Sequence, residues 1–581
     1  MLAGIQVHGR RAKRRSSPIP VATVGCYPGE LQAARFRDTG RAWTNRGKQA
    51  SGQVSKKLVL GDYEWLTYED VGRQIDLIAR GLLSIGAKPR QYLAILAETR
   101  AEWFMTAQAC FRANIPLATL YAALSDDGII SAVNETEVTH LVTSSDLMPR
   151  LVRIVRKMPS LTHIIYMESA EHKAPQILAQ GPQAVSFNAL LERGAHYEAE
   201  MSSPSPEDVA IVMFTSGSSG KPKGVIATHG NLTASFKSFG AAWERLGLFT
   251  EFLLFSAGAR IGYSSPLTLT DNSTGVAKWV PRGHDPPQTD STGHRAARVA
   301  EATRSKGHLF QALFDYAIEY KNFWLDLGFE TPLLNRLLFS KFRSLLGGEV
   351  KLIGSASAPL SSHTRRFTRA CFCCPTIEGY GMTEVCGAAT LMDVEDTSMD
   401  RVGAPISGVY VRLVDWTEGN YRTSDKPNPR GEIVIGGASV TKGYFKNEEL
   451  TREVYQEEGG IRWCHTGDIG EFFPDGTLKI IDRKKDLVKL QHGEYISLGR
   501  VETILKMSPL VENAFAYGSS LHTYIVAFAK KAELPRKIKL CSEMWMPDSG
   551  LVTVTMKIRR KPIESFYQKD IDALYGSREE I

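Results

Sequence analysis

Between Tyr68 and Ile85 the apolar residues Val71, Ile75, Ile78, Leu82 and Leu83 recur at the spacing of one helix face, which predicts an amphipathic helix. The segments that follow alternate in type. "YLAILAE" reads as a buried strand, "AEWFMTAQACFRAN" as a helix, and "THLVTSS" and "THIIYME" as further strands. Short apolar strands alternating with helices predict an α/β fold built on a largely parallel sheet. From about 400 to 480 the texture changes to short strands separated by turns: "YVRLVDW", "GEIVIGG" and "IGEFFPDGTLKIIDR". The "PDG" at Pro474 to Gly476, between two apolar runs, is a hairpin signal. From Arg483 onward the pattern suggests a separate small α+β unit, with the boundary at Asp482 to Lys485. Residues 1–56 are polar, basic and aperiodic, and are expected to be mostly irregular.

A length of 581 residues argues for more than one domain. Hydrophobic residues make up 43% and charged residues 23%, the balance of an ordinary soluble globular protein. The net charge of +7 suits an anionic substrate or a membrane surface. The one dense basic run, "GRRAKRR" at Gly9 to Arg15, has no interleaved aromatics, so it reads as a solvated tail and not as a nucleic-acid interface. Eight cysteines do not make a disulfide scaffold. "CFCC", Cys371 to Cys374, has no second ligand pair at zinc spacing, and its apolar neighbours predict a buried strand of reduced thiols and hence a cytosol-facing protein. No run approaches the 18 or so apolar residues of a membrane helix. The first 25 or so residues lack a signal-peptide apolar region but are rich in Arg and poor in acids, a weak likeness to a mitochondrial transit segment.

The chemistry is concentrated in "FTSGSSGKPKGV", Phe214 to Val225, which follows the apolar run "VAIVMF". Glycines let backbone N–H groups turn toward an anion, hydroxyls add donors, and Lys221 and Lys223 add charge. The pattern is that of a polyphosphate loop. It is not a Walker A loop: Thr215 stands where that motif needs its first glycine, and Pro222 follows Lys221 where a Mg²⁺-binding hydroxyl is required.

"FTSGSSGKPKGVIATHGNL", with "EGYGMTE" (Glu378 to Glu384), "WCHTGDIGEFFPDGTLKIIDRKKDLVKL" (Trp463 to Leu490) and "GEYISLGRVE" (Gly493 to Glu502), resembles the adenylate-forming superfamily. The last two stretches look like the long-chain fatty acid–CoA ligases, in the animal subgroup that prefers polyunsaturated chains. "YSSPLTL" (Tyr263 to Leu269) and "GLVTVTMKIRRK" (Gly550 to Lys561) fit the same subgroup. The resemblance implies an acyl-CoA synthetase-like fold, with a large α/β N-terminal domain and a small mobile α+β C-terminal domain. It divides the chain into a basic N-terminal segment (1–56), an AMP-binding domain (57–482) and a small domain (483–581). It also implies ATP, Mg²⁺ and coenzyme A as reactants or cofactors, a long-chain fatty acid as substrate, and no nucleic acid. A peripheral seat on the cytosolic side of endoplasmic reticulum, mitochondrial outer membrane or lipid droplets follows from the same resemblance.

The roles implied fall on named residues. Thr215, Ser216, Gly217, Ser218, Ser219, Gly220, Lys221 and Lys223 would hold the β- and γ-phosphates. Gly379 and Gly381 would admit the nucleotide closely, Tyr380 would flank the adenine, Thr383 would touch the α-phosphate, and Glu384 would ligate Mg²⁺. Asp468 would accept the ribose hydroxyls, with Arg483 as a second ribose or phosphate contact. Taken alone, an Asp in "HTGDIG" reads as an exposed turn residue. Lys485 would be the hinge, and Lys557 would reach the α-phosphate and carboxylate from the small domain.

The chain also departs from the pattern. After "HGNL" the aromatic-Leu-Pro-Leu-x-His motif that gates the acyl site in this family is missing across 232–261, although His229 remains. Residues 280–307 lack the strand, helix and Ala-Val-Pro motif that line the acyl tunnel, as an out-of-frame exon or an insertion would. The small domain reads as shortened. Two readings therefore stand: an acyl-CoA synthetase, or a relative that binds nucleotide without completing thioester formation. An adenylating enzyme for an amino or aryl acid is a third reading, against which "GEYISLGRVE" speaks.

Overall fold

A computed structural model describes residues 32–36, 63–98, 100–122, 124–168, 181–215, 222–246, 261–262, 278–279, 308–344, 350, 352–356, 360–490, 495–505, 514–518, 545, 549–552 and 558–576. The fold is α/β. Helix α1 (Tyr68–Ser84) begins at a capping box in which the Thr67 side chain accepts from the Asp70 backbone and the Asp70 side chain accepts from the Thr67 backbone. Its buried face carries Val71, Ile75, Ile78 and Leu82 as expected. Leu83 is only half-buried, and Ala79 completes the face.

Five strands follow, the first four alternating with helices: β1 (Leu93–Leu96), β2 (Leu117–Leu120), β3 (His140–Ser144), β4 (His163–Met167) and β5 (Gln183–Ser186). Helix α2 (Ala101–Arg112) joins β1 to β2, and α3 (Asp126–Thr136) joins β2 to β3. With β6 (Val209–Thr215) and β7 (Lys223–Thr228) they form an eight-stranded sheet, ending in the short strand Gly443–Tyr444. The pairs from β1 to β6 are parallel, whereas β6–β7 and the edge strand are antiparallel. The continuous apolar runs follow from burial on both faces. Leu93 and Ile95 pack into one core with α1 and α2, and Ala94 and Leu96 point to the other with α3.

Helix α4 (His308–Asp326) packs against α5 (Ser362–Phe372). Strands β8 (Thr376–Met382) and β9 (Gly387–Leu391) belong to a four-stranded sheet. A third, antiparallel sheet contains β10 (Val409–Val414), β11 (Arg430–Gly437), β13 (Tyr455–Glu458), β14 (Ile461–Phe472) and β15 (Leu478–Arg483). The edge strand Gly443–Tyr444 is β12. It leaves the third sheet to pair with β7, placing Tyr444 opposite Val225. The expected hairpin at Pro474 to Gly476 joins β14 to β15, with Gly476 at φ +83°. A 3-10 turn, Lys484–Asp486, follows β15 and leads to the separate hairpin of β16 (Leu487–Lys489) and β17 (Tyr495–Ser497). Arg560 ties the last helices to this region: it donates to Asp486 at 2.5 Å and to Glu502 at 2.8 Å.

One expectation is corrected. "CFCC" is not a strand: Cys371 and Phe372 form the end of helix α5 and Cys373 is its left-handed C-cap, because the chain must turn there into β8. Within 1–56, Gln32–Phe36 forms a strand paired with Tyr63–Thr67, and the rest of that segment lies outside the described residues. Most of the aberrant segments, 247–260 and 280–307, also lie outside them, whereas 232–246 continues the helix His229–Leu246. Among the described residues no helix is long and apolar enough to cross a membrane.

Candidate active site

Strand β8 carries the first part of the site. It pairs with β9 across a bulge between Tyr380 and Gly381. A Cβ at Gly381 would lie 1.9 Å from the Gly387 carbonyl oxygen, so the neighbouring strand itself demands glycine there. The bulge re-aims Tyr380, whose hydroxyl donates to Asp468 Oδ2 at 2.6 Å. Asp468 sits directly opposite Arg483 in the β14–β15 register, and Arg483 Nε donates to Asp468 Oδ1 at 3.1 Å. Asp468 is therefore not an exposed turn residue but a 5% exposed member of a long strand. Burial pushes its carboxyl pKa up, with Arg483 and Tyr380 acting the other way. Burial and the adjacent carboxylate also hold the Tyr380 phenol well above its ordinary range, so it stays a donor.

The second part lies where β8 ends. Thr383 and Glu384 occupy a 3-10 turn, Thr383–Val385. Tyr444 on β12 donates its hydroxyl to Glu384 Oε1 at 2.8 Å. The Glu384 carbonyl accepts from Thr441 N at 3.0 Å and from Thr441 Oγ1 at 2.9 Å, and Thr441 Oγ1 also meets the Tyr455 hydroxyl at 2.8 Å. Lys223, the first residue of β7, places Nζ 5.7 Å from the Tyr444 ring centre. Its ammonium is held below its ordinary range by burial first and by the charge of Lys485 second, while Glu453 and Glu384 oppose the shift. Thr215 pairs with Lys223 at the end of the β6–β7 ladder.

The fold thus groups Thr215, Lys223, Glu384 and Lys485 around the end of the β6–β7 hairpin, and Tyr380, Asp468 and Arg483 at a second point four residues back along β8. Gly379 lies on β8 and Thr383 beside Glu384. Ser216, Gly217, Ser218, Ser219, Gly220 and Lys221, in the connection between β6 and β7, lie outside the described residues, as does Lys557.

Sequence reasoning missed Tyr444, Thr441, Tyr455 and Glu432. Glu432, 7% exposed on β11, accepts from Lys484 Nζ at 2.7 Å, His465 Nδ1 at 3.2 Å and Gly467 N at 3.2 Å. Burial works to raise its pKa, but the His465 and Lys484 hydrogen bonds prevail and hold it below the usual range. Glu432 bonds the bulged stretch of β14 before Asp468 and ties it to the 3-10 turn that carries Lys485. A lone carboxylate inside the apolar strand "GEIVIGG" was the available signal, because a buried charge requires partners.

Among the described residues no three His, Cys, Asp or Glu side chains are grouped to cage a metal. Glu384 beside the phosphate-loop strands fits Mg²⁺ instead, which is held by one or two carboxylates plus substrate phosphates.

The family model described as AMP-binding enzyme matches residues 47–277 and 297–445. The chain is 37% identical to long chain acyl-CoA synthetase 8 of Arabidopsis thaliana, over 91% of this chain and 84% of that protein. It is 30% identical to long-chain-fatty-acid–CoA ligase 1 of Cavia porcellus, over 89% and 83%. Among solved structures it is similar to the A domain of the carboxylic acid reductase from Segniliparus rugosus in complex with AMP and a co-purified carboxylic acid (TM-score 0.69, 18% identity, 95% of this chain and 92% of that one). It is also similar to the anthranilate CoA ligase AuaEII in complex with anthranoyl-AMP (TM-score 0.62, 18% identity, 87% and 93%). The chain belongs to the AMP-binding enzyme family, and within it to the long-chain acyl-CoA synthetases.

Proposed function

We propose that the chain converts a long-chain fatty acid, ATP and coenzyme A to acyl-CoA, AMP and diphosphate through an acyl-adenylate. The carboxylate oxygen of the fatty acid attacks the α-phosphorus, the bond to the β-phosphate oxygen breaks, and diphosphate leaves. The thiolate of coenzyme A then attacks the acyl carbon and AMP leaves. The second step is feasible because adenylation has turned a poor electrophile into a mixed anhydride.

The single observation that carries this reading is the fixed carboxylate of Asp468. Tyr380 and Arg483 each occupy one site on its two oxygens. A carboxylate has about four lone-pair sites, so each oxygen retains capacity for one ribose hydroxyl. Lys223 and Lys485, grouped near the phosphate loop, supply positive charge for the departing diphosphate, since catalysis of such transfers is mainly positioning and charge neutralisation. Glu384 would hold Mg²⁺, whose chemistry when bound is to neutralise phosphate charge and orient the α-phosphate. Thr383, adjacent to it, is assigned to the α-phosphate. Ser216 to Lys221 are assigned to the β- and γ-phosphates, and Gly379 and Gly381 to the wall of the nucleotide site. In this reading the small domain turns about Lys485, bringing Lys557 in for adenylation and withdrawing it for thioester formation.

A preference for polyunsaturated chains and a peripheral seat on endoplasmic reticulum, mitochondrial outer membrane or lipid droplets complete the proposal. The first is supported by the sequence resemblance of Trp463 to Glu502, and the second by that resemblance and by the net charge of +7. A second reading, nucleotide binding without ligation, is favoured by the missing gate motif and by the interruption of the family match between 277 and 297.

The test is diphosphate exchange into ATP, driven by palmitate or arachidonate, followed by acyl-CoA formation on adding coenzyme A. Both activities, lost together in Asp468→Ala, are expected. Exchange without coenzyme A-dependent AMP release selects the second reading, and absence of fatty-acid-dependent exchange overturns the first.

A further inference from the structure

The "CFCC" run takes no part in the proposed reaction, yet one of its thiols has an unusual partner. Lys321 on α4 is 1% exposed and directs its ammonium at three acceptors. These are Asn335 Oδ1 at 2.5 Å, the Ala370 carbonyl at 2.7 Å and Cys373 Sγ at 2.9 Å. The Phe339 ring covers it, 4.5 Å from Nζ to the ring centre. Burial holds this ammonium below its ordinary range, with Cys373 acting the other way. Cys371 and Cys374 are buried, and burial pushes both thiols up, that of Cys374 to about 12. Cys373 differs from them: it is half-buried, at the left-handed turn that ends α5.

We propose that Lys321 and Cys373 form a peroxide-responsive pair that closes to a sulfenamide cross-link. The Lys321 ammonium donates to Sγ at 2.9 Å, so the two reacting atoms already lie at hydrogen-bond distance; the thiolate is the nucleophilic form of cysteine. In the first step the sulfur attacks one oxygen of hydrogen peroxide. The O–O bond breaks, an S–O bond forms, and the departing hydroxide takes up a proton to become water. Cys373 is now a sulfenic acid, oxidised by two electrons. In the second step Lys321 Nζ, its extra proton having gone to the hydroxide released in the first step, attacks the sulfur. An N–S bond forms, the S–O bond breaks, and a second water leaves. Sulfenic acids condense in this way with backbone nitrogens, and here a side-chain amine lies at hydrogen-bond distance instead. A burial-depressed ammonium releases the proton this step requires more readily than an exposed one. The link would bind α4 to the turn leading directly into β8, the strand that carries Tyr380.

The test treats the full chain with hydrogen peroxide under native conditions, digests it with trypsin and measures peptide masses. Lys321 normally separates peptides 307–321 and 322–336, and Cys373 lies in peptide 370–401. The expected product is 307–336, uncut at Lys321, joined to 370–401, lighter by two hydrogen atoms and released by dithiothreitol. A Cys371–Cys374 disulfide stays within 370–401 and is thereby distinguished. Cys373→Ser, a substitution at a half-buried position, is expected to abolish the joined species. Cys373 left unmodified, carrying only oxygen, or paired only within its own peptide overturns the proposal, as does persistence of the link in Cys373→Ser.

Discussion

The Tyr380 hydroxyl and the Asp468 carboxylate, 88 residues apart in the chain, are joined by a 2.6 Å hydrogen bond between two different sheets. A hydrogen bond to a charged group is worth about 1.5–3 kcal/mol, and this one also fixes the direction in which the remaining lone pairs of Asp468 point. Tyr380→Phe removes the donor and keeps the ring. The expected result is AMP affinity weakened by about 10-fold or more, accompanied by a modest fall in unfolding temperature from the lost bond. Calorimetric titration with AMP checks it, and unchanged affinity means that Tyr380 does not orient Asp468.

Lys223 faces Glu384 and Lys485 at the end of the β6–β7 hairpin. Lys223→Ala is expected to slow fatty-acid-dependent diphosphate exchange by about 100-fold, the scale of losing one preorganised charge-stabilising group, while the unfolding midpoint moves little. An exchange rate equal to the wild-type rate removes Lys223 from the phosphate site.

Tyr444 reaches Glu384 from a strand shared with β7, so it orients that carboxylate from outside the "EGYGMTE" stretch. Tyr444→Phe is expected to raise the Mg²⁺ concentration needed for half-maximal ATP binding by about 10-fold. Fluorescence titration of ATP-analogue binding against Mg²⁺ measures this without turnover. A merely structural role for Tyr444 leaves the Mg²⁺ midpoint in place.

Glu378 on β8 opens the "EGYGMTE" stretch, and burial pushes its carboxyl up to about 6 from an ordinary 4.5, with Arg365 opposing the shift. A carboxyl whose pKa is higher folded than unfolded binds its proton more tightly in the folded state. Its contribution to stability is therefore greatest below about 4.5 and is lost as pH rises through about 6. Glu378→Gln cannot titrate. Between pH 5 and about 7.5 the wild type is expected to lose unfolding temperature relative to this variant. Parallel curves across that range contradict the assignment.

Much of the fold could be read along the chain. The helix of Tyr68–Ser84, the buried strands β1, β3 and β4 and the hairpin after Phe472 all announce themselves through local periodicity or turn chemistry. The "CFCC" run was misread because four apolar residues in a row fit a buried helix end as well as a strand, and only the positive φ of Cys373 distinguishes them. Glu432 escaped notice for a different reason: its partners Lys484 and His465 are distant in sequence, and a carboxylate carries no local mark of what it bonds.

The sequence by itself determined the alternation of elements and supplied the motifs on which the phosphate role proposed for Phe214 to Val225 and the roles proposed for Glu384 and Asp468 rest, because backbone preference, side-chain period and motif spacing are local properties. Only the tertiary structure decided that Asp468 is buried between Tyr380 and Arg483, that Tyr444 holds Glu384, and that Lys321 meets Cys373. Each of these depends on strand register or helix packing between segments remote in sequence. Register and packing are set by how the cores of the sheets close together, which no single stretch of the chain specifies.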